Sequence, residues 1–266
     1  MTVYRRPDPI PLPRADRGAS FSLPRPIRDR ADGLHQLVAK QLFIAIASGK
    51  LPAGSILPNE HDLSLKFGVS RTALREAIKA LTSKGLVEAR RRRGTKVLER
   101  ARWNMLDADI VSWSRKVESS HRVTGQLWTA VVSTQPALAA LAATRRDALR
   151  LSAAAIQMRD AGENVSERVI AFAKFHCEVA KASGNPFLTS LIATCFDNLL
   201  KEDVAALQDL AVEAEPAAAI ALAELIASGR VVESEQLMRS FIRESRPEGG
   251  FSAQPRRSKA NFPGMT

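Results

Sequence analysis

The stretch from Gly54 to Val97, GSILPNEHDLSLKFGVSRTALREAIKALTSKGLVEARRRRGTKV, constrains this chain more than any other part of it. Within it, Leu74, Ala77, Ile78 and Leu81 recur at i, i+3, i+4 and i+7, the spacing of one buried helical face. The same segment opens on Ser70, Arg71 and Thr72 and carries Arg75 one turn later, so its other side is cationic. A helix anchored on one side and positively charged on the other reads as a reader of duplex DNA.

The flanking residues fit that reading. A shorter helix runs from about Asn59 to Phe67 with Leu63 and Phe67 inward; Gly68 then reverses the chain, and Ser70 is the expected N-cap of the next helix. Upstream, Leu34, Leu37, Val38, Leu42 and Ala45 follow helical spacing until Gly49 stops the helix, and Lys50–Gly54 is a turn. After Gly85, Leu86–Ala89 and Thr95–Leu98 read as two short strands joined by Arg90, Arg91, Arg92, Arg93 and Gly94. That hairpin is a wing. So dense a run of arginines repels itself unless an anion lies beside it.

In a helix-turn-helix the first residues of the second helix meet base edges in the major groove. Arginine suits that place because its planar fork can bond guanine O6 and N7 together, and Arg71 and Arg75 lie four residues apart. Ser70 and Thr72 can donate to phosphates or touch a thymine methyl, and the helix N-terminus adds exposed amides. Charge is distributed accordingly. Residues 1–102 hold 21 Lys/Arg against 9 Asp/Glu, residues 103–245 hold 14 against 18, and the last 21 residues hold 4 against 1. A basic front on a mildly acidic body calls for a polyanion at the front alone.

From Trp103 onward every periodic segment is helical. Leu127, Val131, Leu138 and Leu141 share a face of a long Ala-rich helix, and 147–159, 165–182, 186–212, 216–227 and 231–244 follow, parted by Gly162, Gly184-Asn185-Pro186 and Gly229. Six or seven helices with short connections imply an antiparallel bundle. The expected fold is mainly α: an N-terminal winged helix-turn-helix over 27–100 and a helical effector and dimerisation domain over 101–245. Residues 1–26 and 246–266, rich in Pro, Arg, Ser and Gly, read as a disordered basic arm and tail; the arm is a solvated tail or a further contact to DNA backbone. Two cysteines without a CxxC, no apolar leader, and apolar runs such as Pro136–Ala143 too short to span a bilayer point to a soluble, cytoplasmic protein.

The pattern resembles the winged helix of the GntR family of bacterial transcription regulators. The matching positions are Ile46–Leu51, Gly54, Leu57-Pro58, Glu60, Leu63, Gly68-Val69-Ser70-Arg71, Leu74-Arg75-Glu76-Ala77, Leu81, Gly85-Leu86-Val87, Gly94-Thr95 and Val97. The resemblance implies that Arg71 and Arg75 read the major groove and that Gly94 and Thr95 form the wing tip. It also exposes a departure: the family's arginine after the glutamate of the short helix is His61 here, a weaker phosphate or base contact when neutral.

The helical half resembles the FCD effector domain of the fatty-acid-regulator branch of that family, anchored on Phe175-His176 and Gly184-Asn185-Pro186-Phe187-Leu188. The run Trp103–Trp113 looks like the linker of members that answer to sugar acids such as galactonate. The resemblance implies a divalent-metal site made by an Asp and three His, and an acid effector met by an Arg and a Glu. By register those positions are Phe172, His176, Ala219 and Phe241, with Val131 and Gln135 for the effector pair. Only His176 is retained. One neutral imidazole cannot hold a divalent ion against water, since a closed site needs about three or four protein ligands. A register slip would recruit Glu215 or Glu244. Without it, no metal or other cofactor is expected, and His176 is a packed, hydrogen-bonded core histidine or an effector contact.

No catalytic triad, phosphate-cradling glycine loop or HExxH motif occurs, so no catalytic residue is assigned and the chain is not read as an enzyme. The expected function is a sequence-specific regulator, a repressor, bound as a homodimer to a palindromic duplex operator, with a possible small-molecule effector and no membrane partner. The alternatives are a non-specific architectural DNA-binding protein, or a co-regulator whose helical half is a protein-interaction surface.

Overall fold

The computed structural model describes residues 33–90, 93–202 and 204–244. Its contacts divide the chain into two units that adjoin in sequence between Asn104 and Met105.

In the first unit, helix α1 (Leu34–Ala47), α2 (Glu60–Phe67) and α3 (Arg71–Ser83) precede the strands β1 (Val87–Arg90) and β2 (Gly94–Val97). Local chemistry sets the helix ends. Asn59 caps α2, its carbonyl oxygen accepting from the Asp62 amide at 2.9 Å. Gly68 ends α2 in the left-handed conformation (φ 66°), which lets the Val69 amide reach back to the Ser64 carbonyl at 3.0 Å. Two residues later the Ser70 hydroxyl accepts from the Ala73 amide at 3.2 Å and starts α3. The tight turn therefore follows from three residues: a glycine that tolerates positive φ, a valine, and a capping serine.

Both α1 and α2 pack on α3. Val38, Leu42, Phe43, Leu63, Phe67, Leu74, Leu81 and Leu86 are fully buried between them, and the Trp103 ring lies tilted against that of Phe43, 5.6 Å between centroids. That packing keeps residues 101–104 with this unit, four residues beyond the boundary expected from the sequence. The buried stripe of α1 is Val38, Ala39, Leu42, Phe43, Ala45 and Ile46; Leu37, expected inside, is 41% exposed. Ile78 is half-buried rather than fully inside.

The strands pair antiparallel, Val87 with Val97 and Arg90 with Gly94, one residue displaced from the expected spans. Residues 54–57, of which Gly54 was read as part of a turn, form a third edge. Gly54 and Leu57 amides donate to the carbonyls of Val97 and Thr95, and the Val97 amide donates to Ser55, all within 2.8–2.9 Å. The wing is thereby tied to the segment that leads into α2.

The second unit contains α4 (Ala108–Val117), α5 (Ser120–Arg145), α6 (Leu149–Asp160), α7 (Val165–Ala182), α8 (Pro186–Glu202), α9 (Val204–Glu213), α10 (Pro216–Ala227) and α11 (Val231–Glu244). These are eight helices among the described residues, where six or seven were expected. One source of the difference is α4, which packs on α5 and α8. The other is the stretch 186–212, read as one helix. A single straight helix of that length would extend about 40 Å, whereas α9 returns to pack on α7. There the Arg168 guanidinium donates to the Ala211 and Val212 carbonyls at 3.0 and 2.9 Å, satisfying the end of α9.

Helices α5 and α7 form the centre of the bundle: α5 packs on α7, α8, α10 and α11, and α7 on α6, α8 and α9. The inward face of α5 includes Leu127, Val131 and Leu138; Leu141, expected on the same face, is 43% exposed. Although its apolar runs looked short, α5 is long enough to cross a membrane and contains an 18-residue window of mean hydropathy 1.2. Half of that window is buried inside the bundle, as in the core helix of a globular domain.

Candidate nucleic-acid interface and effector core

Arg71 and Arg75 lie on the exposed side of α3, opposite buried Leu74, Ala77 and Leu81. Each is held by one residue of the first turn of α2. Nε of Arg75 donates to Oε2 of Glu60 at 2.8 Å, with the two side chains 63% and 43% exposed. A pair that exposed contributes little stability, so its consequence is orientation. Nη2 of Arg71 lies 3.0 Å from Nδ1 of His61. A guanidinium has only donors, so Nδ1 must be the acceptor and, in the neutral ring, Nε2 carries the proton.

Ser70 and Thr72 are both exposed at the opening of α3, and the Ser70 oxygen is occupied as the cap. On the wing, Nε of Arg90 donates to Glu88 Oε2 at 3.0 Å, and Arg93 is exposed. Arg91 and Arg92 lie outside the described residues. Gly94 has φ 82°, and a Cβ placed on it would come within 2.8 Å of Ile56 Cγ2, so the hairpin turn requires glycine twice over. Thr95 is half-buried, its carbonyl accepting from Leu57. The expected DNA-facing residues thus separate into one cluster joining α2 to α3 and a second on the wing. Sequence reasoning counted Glu60 among the matching positions but gave it no role; an acid in the first turn of α2 is ordinarily only a favourable helix end.

In the second unit, Val131, Gln135, Phe172, His176, Ala219 and Phe241 are all buried in one apolar cluster. Direct contacts join four of them. His176 meets Phe172 edge-on at 4.6 Å between ring centroids and stacks on Phe241 at 5.8 Å, while Gln135 Nε2 donates to the His176 carbonyl at 3.0 Å. Phe196 also stacks on the imidazole, at 5.6 Å, and Phe175 and Trp128 meet it edge-on at 5.6 and 6.4 Å. Sequence reasoning had Phe175 only as an anchor of the resemblance and missed Trp128 and Phe196. Trp128 falls one turn before Val131 and two before Gln135, a signal on the helix itself; Phe196 arrives from α8, which no spacing predicts.

Among the described residues the expected side-chain hydrogen bond of His176 is not formed: both ring nitrogens are buried without a partner, as are Trp128 Nε1 and Gln135 Oε1. Burial pushes the imidazole down to about 3, so it is neutral in ordinary buffers. As a metal site the cluster does not fit: Phe172, Ala219 and Phe241 stand at the other positions the resemblance implies for ligands, and no group of three or more His, Cys, Asp or Glu suited to a metal ion occurs among the described residues. In a cluster of rings with only a few unused polar atoms, an unpaired carboxylate would be costly to bury.

Comparison with known proteins agrees with both halves. Residues 34–97 match the profile of bacterial regulatory proteins of the gntR family, and residues 135–244 match that of the FCD domain. The chain is 37% identical over 162 residues to the uncharacterized HTH-type transcriptional regulator YieP of Escherichia coli (strain K12), covering 59% of this chain and 70% of that protein. It is 31% identical over 149 residues to the galactonate operon transcriptional repressor of the same organism, covering 55% and 65%. Among solved structures, Lar of Listeria monocytogenes is 21% identical, with 82% of this chain and 96% of that one covered and a TM-score of 0.49.

Proposed function

The chain belongs to the gntR family of bacterial transcriptional regulators, with an FCD domain behind its winged helix, and on that premise we propose that it is a cytoplasmic repressor binding a palindromic operator as a homodimer. The observation that carries the reading is the pair Arg71 and Arg75, exposed on one side of α3 while Leu74, Ala77 and Leu81 bury the other. Arg71 and Arg75 read base edges, and Ser70, Thr72 and the helix N-terminus engage phosphates. The wing, through Arg90–Arg93, Gly94 and Thr95, holds the backbone.

Repression is supported by the likeness to the galactonate operon repressor. A dimer is supported by the small footprint of one winged helix, with the helical half supplying the two-fold contact. The box around His176 is the effector site. It takes an uncharged ligand without a metal, since Phe172, Ala219 and Phe241 stand where ligands would be needed.

The test is selection from a randomised duplex pool by the full-length chain. Enrichment of a two-fold motif, bound far more tightly than a shuffled duplex, is the expected result. Equal binding to all duplexes, falling steeply with salt, favours the architectural reading instead.

A further inference from the structure

Nothing above gives His61, in the first turn of α2, a task on DNA. Its geometry is informative. Consecutive residues of α2 each hold one arginine of α3: Glu60 takes Arg75 through Nε at 2.8 Å, and His61 takes Arg71 through Nη2 at 3.0 Å. An arginine at position 61 could not do this, because a guanidinium accepts no hydrogen bond and would repel Arg71. The imidazole can accept, but only while Nδ1 is bare.

We propose that His61 is a positioning residue that sets the sequence selectivity of Arg71 and surrenders that control when it is protonated. The inference rests on the reading that α3 enters a duplex. Neutral His61 aims Arg71 at one base. Protonated His61 can no longer accept, repels the guanidinium, and becomes an additional cation for phosphate. Selectivity is therefore highest while the ring is neutral. Once it is protonated, binding to any duplex strengthens while discrimination falls.

The charged groups at this turn are Arg71 and Arg75 from α3 and Glu60 and Asp62 from α2 itself. Both carboxylates are engaged elsewhere, Glu60 with Arg75 and Asp62 with the Asn59 amide at 2.7 Å. Of these residue types, histidine alone ordinarily changes charge between about pH 5.5 and 8.

The experiment measures Kd by fluorescence anisotropy for two probes: the duplex the full-length chain enriches from a randomised pool at about pH 8, and a shuffled duplex of equal composition. For the unaltered chain the ratio of the two Kd values should shrink at least about fivefold between about pH 8 and 5.5. The shuffled duplex should bind more tightly at the lower pH, with a steeper salt dependence. His61→Gln, whose amide oxygen accepts from Arg71 without titrating, should keep its ratio over the same range. His61 is exposed, so the substitution leaves the core intact. A pH-independent ratio in the unaltered chain, or a parallel fall in His61→Gln, overturns the proposal. Arg71→Ala separates the two levels: if it leaves the ratio at about pH 8 unchanged, the reading of α3 fails and this inference with it. If it collapses the ratio while pH has no effect, only the role given to His61 is lost.

Discussion

Gln135 on α5 donates its amide to the backbone carbonyl of His176 on α7 at 3.0 Å, while the imidazole of that same histidine finds no hydrogen-bond partner. The backbone of α7 is thus tethered to α5 at the one point where its side chain is least satisfied. A buried polar group without a partner carries a desolvation cost of about 1–3 kcal/mol, which the packing of the surrounding rings must offset.

This arrangement makes stability depend on pH in a defined direction. The folded-state imidazole titrates at about 3, below its ordinary value near 6.5. Between those values the unfolded chain binds the proton and the folded chain does not, so stability is full above pH 6.5 and falls as pH drops toward 3. The slope contributed by this one residue is about 1.4 kcal/mol per pH unit. Denaturant melts of the full-length chain at several pH values should show His176→Leu losing that share of the dependence; an unchanged slope in the variant would contradict the burial argument.

Protein purified without chelator should carry no near-stoichiometric zinc, nickel or manganese by elemental analysis. About one equivalent per chain would mean that donors beyond His176, such as Glu215 or Glu244, reach the box after all.

Wing arginines act on phosphate, so their loss should be indifferent to sequence. Replacing Arg90 and Arg93 with alanine should weaken selected and shuffled duplexes alike and reduce the salt slope by up to about 2. Altered site choice with unchanged affinity would assign the wing to base reading.

The turn between α2 and α3 depends on Gly68 at φ 66°. Gly68→Val should destabilise the fold by about 1–2 kcal/mol, the cost of holding a side chain in that conformation. Calorimetry showing an unchanged Tm would mean that the turn relaxes without loss.

Much of the reading unit was legible because its signals are local. Asn59, Gly68 and Ser70 each act on backbone groups within four residues, and Leu74, Ala77 and Leu81 are one helical stripe. Errors began where partners are distant in sequence. The edge formed by residues 54–57 exists only because β2 offers the Val97 and Thr95 carbonyls. Leu37 and Leu141 fit a helical period but fall outside the arc covered by neighbouring helices. Trp128 and Phe196 close on His176 from two different helices, so counting positions along α7, α10 and α11 overlooked them. The link between Glu60 and Arg75 was invisible for the same reason: it joins residues on two helices across the turn.

The central claim is that α3 presents Arg71 and Arg75 to base edges, and the most direct measurement is a base-by-base affinity scan of the selected duplex with the unaltered chain and with Arg71→Ala. The account predicts a loss of about 1–3 kcal/mol on the selected duplex, with preference relaxed at one base position and its symmetry mate and retained elsewhere. A variant that weakens equally on every sequence, or keeps its full preference at every position, would contradict it.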